Sequence, residues 1–81
     1  MRVKVRLFAS LREAASRSVS HLDLPERATA EHAWQALVGE LPALAERRPS
    51  LAVAVNRTYA SFGTVLENDD EVVFIPPVSG G

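Results

Sequence analysis

One segment of this chain can form a long amphipathic helix, and its neighbours cannot. After Thr29, which can cap a helix, Ala30, Ala33, Trp34, Leu37, Val38 and Leu41 fall on one stripe at three- and four-residue steps, and Pro42 ends the pattern. A helix of this kind must bury its stripe against another layer. The segments around it read as strands, so the sequence points to a sheet crossed by one main helix, with Trp34 as a core anchor lying on that sheet.

The strands differ in how clearly they announce themselves. Residues 2–8 alternate Arg2, Lys4 and Arg6 with Val3, Val5 and Leu7, the period of a strand with one wet and one buried face. Ser10 and Glu13 stand at capping-box spacing and predict a short helix over 11–17. Ser18 to Leu24, closed by Pro25, predicts a second strand returning beside the first. The apolar run Leu51–Val55 predicts a central strand covered on both faces, and Asn56-Arg57 begins the turn after it. Thr64–Leu66 predicts a short strand, Glu67–Asp70 a turn, and Glu71–Ile75 a last apolar strand. Between helix and central strand, Pro42–Ser50 has room for one more helical turn before Pro49, with Arg47 and Arg48 at a solvated corner. The predicted fold is α+β: a β-grasp (ubiquitin-like) domain with a mixed sheet of about five strands, the first and last pairing in parallel through its middle.

Composition removes several classes of function. Eighty-one residues make one domain with one modest core, expected to span 1–81 with a flexible tail over 76–81. Nine Lys and Arg against ten Asp and Glu give a net charge of −1, without the basic excess of a nucleic-acid binder. The absence of cysteine excludes disulfides, zinc-thiolate sites and thiol nucleophiles. No apolar run reaches the ~20 residues of a membrane span, and Met1-Arg2-Val3-Lys4 leads straight into strand periodicity, so the expected location is the cytoplasm. His21 and His32 lack metal-ligand spacing and read as surface residues. The serines form no nucleophile elbow, no glycine-rich phosphate loop is present, and Asp69 and Asp70 read as turn residues rather than an acid/base pair.

The remaining feature is the end of the sequence, where the rigid run Ile75-Pro76-Pro77-Val78-Ser79 leads to Gly80-Gly81. Without Cβ atoms, Gly80 and Gly81 can thread a channel too narrow for side chains. Pro76 and Pro77 restrict the backbone and lower the ordering cost of inserting it. Chemistry here would be done on a main-chain carboxyl group.

Together with Leu7-Phe8-Ala9, Leu11-Arg12-Glu13, Val55-Asn56-Arg57-Thr58, Ser61-Phe62 and Asp70-Glu71-Val72, that ending closely resembles the small, sulfur-carrier subunit of molybdopterin synthase, the MoaD family, over nearly the whole chain. Asp69 departs from the family, which often has glycine there; Asn68 is expected to carry the left-handed turn instead. The resemblance implies that a ubiquitin-activating-type adenylyltransferase uses ATP to adenylate the Gly81 carboxyl and that a sulfur donor, a sulfurtransferase, converts it to a thiocarboxylate. It further implies a 2+2 heterotetramer with the large catalytic subunit, in which the tail delivers sulfur to cyclic pyranopterin monophosphate during molybdenum cofactor biosynthesis. The chain is then a sulfur-donating, non-catalytic subunit that binds no cofactor itself, with acid and base groups supplied by the large subunit. Phe8, Tyr59, Phe62 and Ile75 are candidates for an apolar docking face at the tail base, with Arg12 a polar candidate. Core is the expected home of Phe8 and Phe62, and the interface that of Tyr59 and Ile75. Two other outcomes share the tail chemistry: a ubiquitin-like modifier joined through Gly81 to lysines, and a sulfur carrier for another pathway such as thiamine synthesis. An inert interaction module ranks last.

Overall fold

The computed structural model describes residues 1–77. Strand β1 (Arg2–Leu7) buries Val3, Val5 and Leu7 and turns Arg2, Lys4 and Arg6 outward, as its alternation requires. It pairs antiparallel with β2 (Val19–Asp23), from Arg2 opposite Asp23 to Arg6 opposite Val19. Helix α1 (Ala9–Ala15) bridges the two. The expected cap by Ser10 is not made, because the helix starts two residues earlier, after extended Phe8, and Ser10 already lies inside the first turn. The Phe8 carbonyl instead accepts from the amides of Leu11 and Arg12 at 3.1 and 3.3 Å.

Helix α2 (Ala30–Glu40) buries Ala30, Ala33, Trp34 and Leu37. Its start is a reciprocal box in which Thr29 Oγ1 accepts from the His32 amide at 3.3 Å and His32 Nδ1 accepts from the Thr29 amide at 2.9 Å. His32 takes the part that Glu or Gln usually plays. Trp34 meets Phe74 edge to face, with ring centroids 5.0 Å apart, and Phe62 stacks on Phe74 at 6.1 Å, so the expectations for Trp34 and Phe62 hold. A 3-10 helix over Pro42–Ser50 follows and seats Leu44 in the core. It corrects the solvated corner: the half-buried Arg48 guanidinium donates to Glu31 at 2.6 and 2.9 Å and lies 3.5 Å from the Phe62 ring centroid. Its partners are 17 and 14 residues away, so a local pattern carries no trace of them.

The sheet runs β2-β1-β5-β3-β4, with β3 at Ala52–Val55, β4 at Thr58–Ala60 and β5 at Glu71–Ile75. β1 and β5 pair in parallel at the centre, as expected; the other pairings are antiparallel. The centre is therefore β5 and not the 51–55 run. In that run Val53 on the covered side and Ala54 on the open side are both buried while Ala52 is exposed, so the strand is covered on both faces only at its middle, with alanine at its open-side positions. The fifth strand is likewise not 64–66, where Val65 forms only an isolated bridge with Thr29. It is β4, joined to β3 by a two-residue turn with Asn56 and Arg57 at φ 50° and 69°, the left-handed pair that a tight hairpin requires.

In the 67–70 turn the left-handed residue is Asp69, at φ 69°, and not Asn68. Asn68 Oδ1 accepts from the Arg2 amide at 2.8 Å. The Asp70 carboxylate accepts from the Glu67 amide at 2.7 Å and from Asn56 Nδ2 at 2.9 Å, which ties the two turns together and gives it a structural task. No helix among the described residues is long and apolar enough to cross a membrane.

Candidate functional site

Both helices and the core lie on one side of the sheet, and the other side is open. Register places Arg6, Val73, Ala54 and Tyr59 in one row across β1, β5, β3 and β4 of that open side. One step further along the strands, Ile75 pairs with Ala52. Phe8 follows Leu7, which pairs with Phe74, so it comes beside Ile75. Tyr59 is 77% exposed and Phe8 49%; Ile75 is half-buried.

The exposed Phe8 corrects the expectation that placed it in the core. Val3, Val5 and Leu7 point inward, so strand periodicity carried one residue further sends Phe8 outward; its size alone suggested the opposite. Phe62 packs half-buried against the core, under Arg48. Arg12 is exposed on α1 and does not line the groove at the tail base.

That groove, of about 540 Å3, lies where the chain leaves β5. Phe8, Ala9, Ser10 and Glu13 form one side; Ile75, Pro76 and Pro77 form the other. The tail thus departs from the central strand, which is paired along both edges, beside the exposed Phe8 ring. Val78, Ser79, Gly80 and Gly81, to which the sequence assigns the tail's passage and reactive group, lie outside the described residues.

A polar cluster borders the apolar ground. Arg6 Nε donates to Glu71 Oε2 at 2.8 Å, and Arg57 Nε stands 3.9 Å from Glu71 Oε1. The hydrogen bond from Arg6 holds the Glu71 carboxyl below its usual value; burial works the other way, and the charges of Arg6, Arg57 and Lys4 add to the lowering. The Glu71 backbone is fixed as well, its amide donating to Asn56 Oδ1 at 3.0 Å and its carbonyl accepting from the Asn56 amide at 2.8 Å. Glu71, Arg6 and Arg57 were not among the candidate site residues read from sequence, because their meeting depends on the β1–β5 register and the Asn56-Arg57 turn.

Among the described residues no group of three or more His, Cys, Asp or Glu could hold a metal ion. His21 is exposed on β2, and His32 serves the helix cap. The arrangement can dock a partner and present a tail to it.

Comparison with known proteins agrees with this geometry. The ThiS family model matches residues 5–81. The molybdopterin synthase sulfur carrier subunit of Arabidopsis thaliana is 34% identical over 79 residues, covering 98% of this chain and 82% of its own. Its namesake from Escherichia coli (strain K12) is 38% identical over 82 residues, covering 98% and 99%. Among solved structures, SAMP1 from Haloferax volcanii superposes with a TM-score of 0.92 at 34% identity over the whole of both chains.

Proposed function

The chain belongs to the ThiS family, and we propose that within it the protein is the sulfur carrier subunit of a molybdopterin synthase. The observation that carries this reading is the origin of the tail: Pro76-Pro77 leaves the central strand directly beside the exposed Phe8 and the half-buried Ile75. Relatives named molybdopterin synthase sulfur carrier subunit, 34% and 38% identical, support it.

The chemistry takes place on the carboxyl group of Gly81. An adenylyltransferase partner docks on the open face, the carboxylate oxygen attacks the α-phosphorus of ATP, and pyrophosphate leaves. A carboxylate is a poor electrophile; the acyl-adenylate has a good leaving group. A sulfide-level donor then attacks the acyl carbon, the bond to AMP breaks, and a thiocarboxylate remains. In the large subunit its sulfur displaces an oxygen from a carbon of cyclic pyranopterin monophosphate, the carbon–oxygen bond breaking as the carbon–sulfur bond forms, and hydrolysis of the acyl–sulfur bond then leaves the sulfur on the pterin and returns the Gly81 carboxylate. This chain supplies positioning: the open face docks, the prolines limit the backbone freedom lost on insertion, and the glycines clear the channel. Acid and base groups belong to the large subunit, and the whole cycle belongs in the cytoplasm.

Reconstitution tests this. Activated carrier, large subunit and cyclic pyranopterin monophosphate should yield molybdopterin, and a variant lacking Gly80 and Gly81 should yield none. Equal yields from the two proteins would contradict the reading. The likeness to SAMP1, whose curated namesake is a small archaeal modifier protein, favours a second role as a protein modifier. That role predicts isopeptide conjugates in cell extract that disappear when Gly81 is deleted.

A further inference from the structure

The open side of the sheet carries more than the apolar ground beside the tail. β1 presents Arg2, Lys4 and Arg6 on it at steps of about 7 Å, since same-face residues lie two apart. Arg57 joins them from the β3–β4 turn, its side chain 87% exposed. Two carboxylates share this side, Asp23 on β2 and Glu71 on β5. Glu71 is engaged by Arg6 and Arg57, while Arg2 and Lys4 make no ion pair among the described residues.

The rest of the chain has the opposite balance. Of nine cations and ten carboxylates, four and two belong to the open side, which leaves five cations against eight carboxylates elsewhere. A molecule with a net charge of −1 therefore has one positive side. Apart from Arg6 and Arg57, which engage Glu71, the strip makes no ion pair among the described residues, so Arg2 and Lys4 stand as cations the fold does not pair. The strip is continuous with the apolar ground, because Arg6, Arg57 and Glu71 share a shallow cleft with Phe8 and Val73.

We propose that Arg2, Lys4, Arg6 and Arg57 form the electrostatic half of the docking face, and that the partner they fit is a protein with a row of carboxylates beside the channel that receives the tail. The proposal rests on the sulfur-carrier reading and adds the chemistry of the partner's surface. The row starts near the channel mouth, opposite Arg6, and runs away from it for about 13 Å to Arg2, four strand residues distant. The apolar neighbours Phe8, Val73 and Tyr59 fit a protein surface better than a phosphate backbone. Exposed charges of this kind contribute chiefly to the rate of encounter, raising it tenfold or more in a salt-dependent way, and so they orient a carrier that must arrive tail first.

The test is stopped-flow association with the large synthase subunit of the same organism at low and at physiological salt. Arg2→Glu/Lys4→Glu should slow association about tenfold at low salt and leave dissociation nearly unchanged, with the gap narrowing as salt rises. The neutral pair Arg2→Gln/Lys4→Gln, which introduces no carboxylate into β1, should fall between. Arg27→Glu/Arg47→Glu, away from the open side, should match the wild type. Association that is insensitive to salt and to the strip substitutions would overturn the proposal, as would a loss confined to dissociation. Single-stranded DNA binding that needs Arg2 and Lys4, with large-subunit association unaffected, would overturn it too and assign the strip to a nucleic acid. Failure of the wild-type carrier to bind the large subunit at all is a different result: it removes the functional reading before any variant is compared.

Discussion

The two faces of the sheet are built from the same five strands and do opposite things. On the covered face Val3, Val5, Leu7, Val53, Val72 and Phe74 are all but inaccessible, and Trp34 and Phe62 close over Phe74. On the open face the intervening residues are Arg2, Lys4, Arg6, Ala54, Tyr59, Val73 and Ile75, with Phe8 at the edge. Apolar side chains occur on both, so composition does not separate them; what differs is whether the chain itself provides a cover. The covered face uses its rings for stability. The open face holds rings out beside a departing tail, where they gain nothing until a partner arrives.

The contrast is broken most directly from the covered side. Phe74→Ala removes the ring that Trp34 and Phe62 both contact, and should cost about 3–5 kcal/mol, enough to unfold much of a domain this small, as followed by urea denaturation. Phe8→Ala/Tyr59→Ala should leave urea stability within about 0.5 kcal/mol of the wild type and weaken binding to the adenylating partner by ten- to a hundredfold, roughly 1.4–2.8 kcal/mol, in a titration. A stability loss of the covered-face size in that pair would erase the distinction. Thr29→Ala, which removes the Thr29 half of the α2 cap, should cost about 1 kcal/mol in the same denaturation assay and leave partner binding intact.

The smallest effect sharpens the border between the zones. The Glu71 carboxyl is lowered below its usual 4.5 in the folded chain, so the stability it contributes is present above that value and is lost as pH falls through it toward the lowered folded value. Wild type and Glu71→Gln should therefore differ by a constant margin near neutral pH and converge in acid. A gap that instead opens on acidification would contradict the assignment. Because Glu71 and Arg6 are both partly exposed, the margin should be small.

Much of the covered face was legible in the sequence because it rests on periodicity. The alternation of β1 and the α2 stripe follow from the spacing of apolar residues, the parallel β1–β5 pairing from the order of the elements, and each is present. What escaped was set by contacts across the chain. Arg48 reads as a solvated charge until the 3-10 helix brings it over Phe62. β4 is a strand of only three residues, and although the turn at Asn56-Arg57 was anticipated, no glycine marks it as a tight hairpin that would announce β4 behind it. Asp69 holds the left-handed turn position itself. Of the candidate site, Tyr59 and Pro77 are exposed, and Ile75 and Pro76 are half-buried beside the groove at the tail base. Phe8 was misjudged because a large ring suggests core, although its strand parity already pointed it outward.

The most direct test of the account is the intact mass of the protein after incubation with its adenylating enzyme, ATP and a sulfur donor, beside a Gly81-deleted control. The account predicts a gain equal to one sulfur replacing one oxygen, confined to the chain that retains Gly81. An unchanged mass with an adenylating enzyme known to be active, or the same gain in the control, would contradict it.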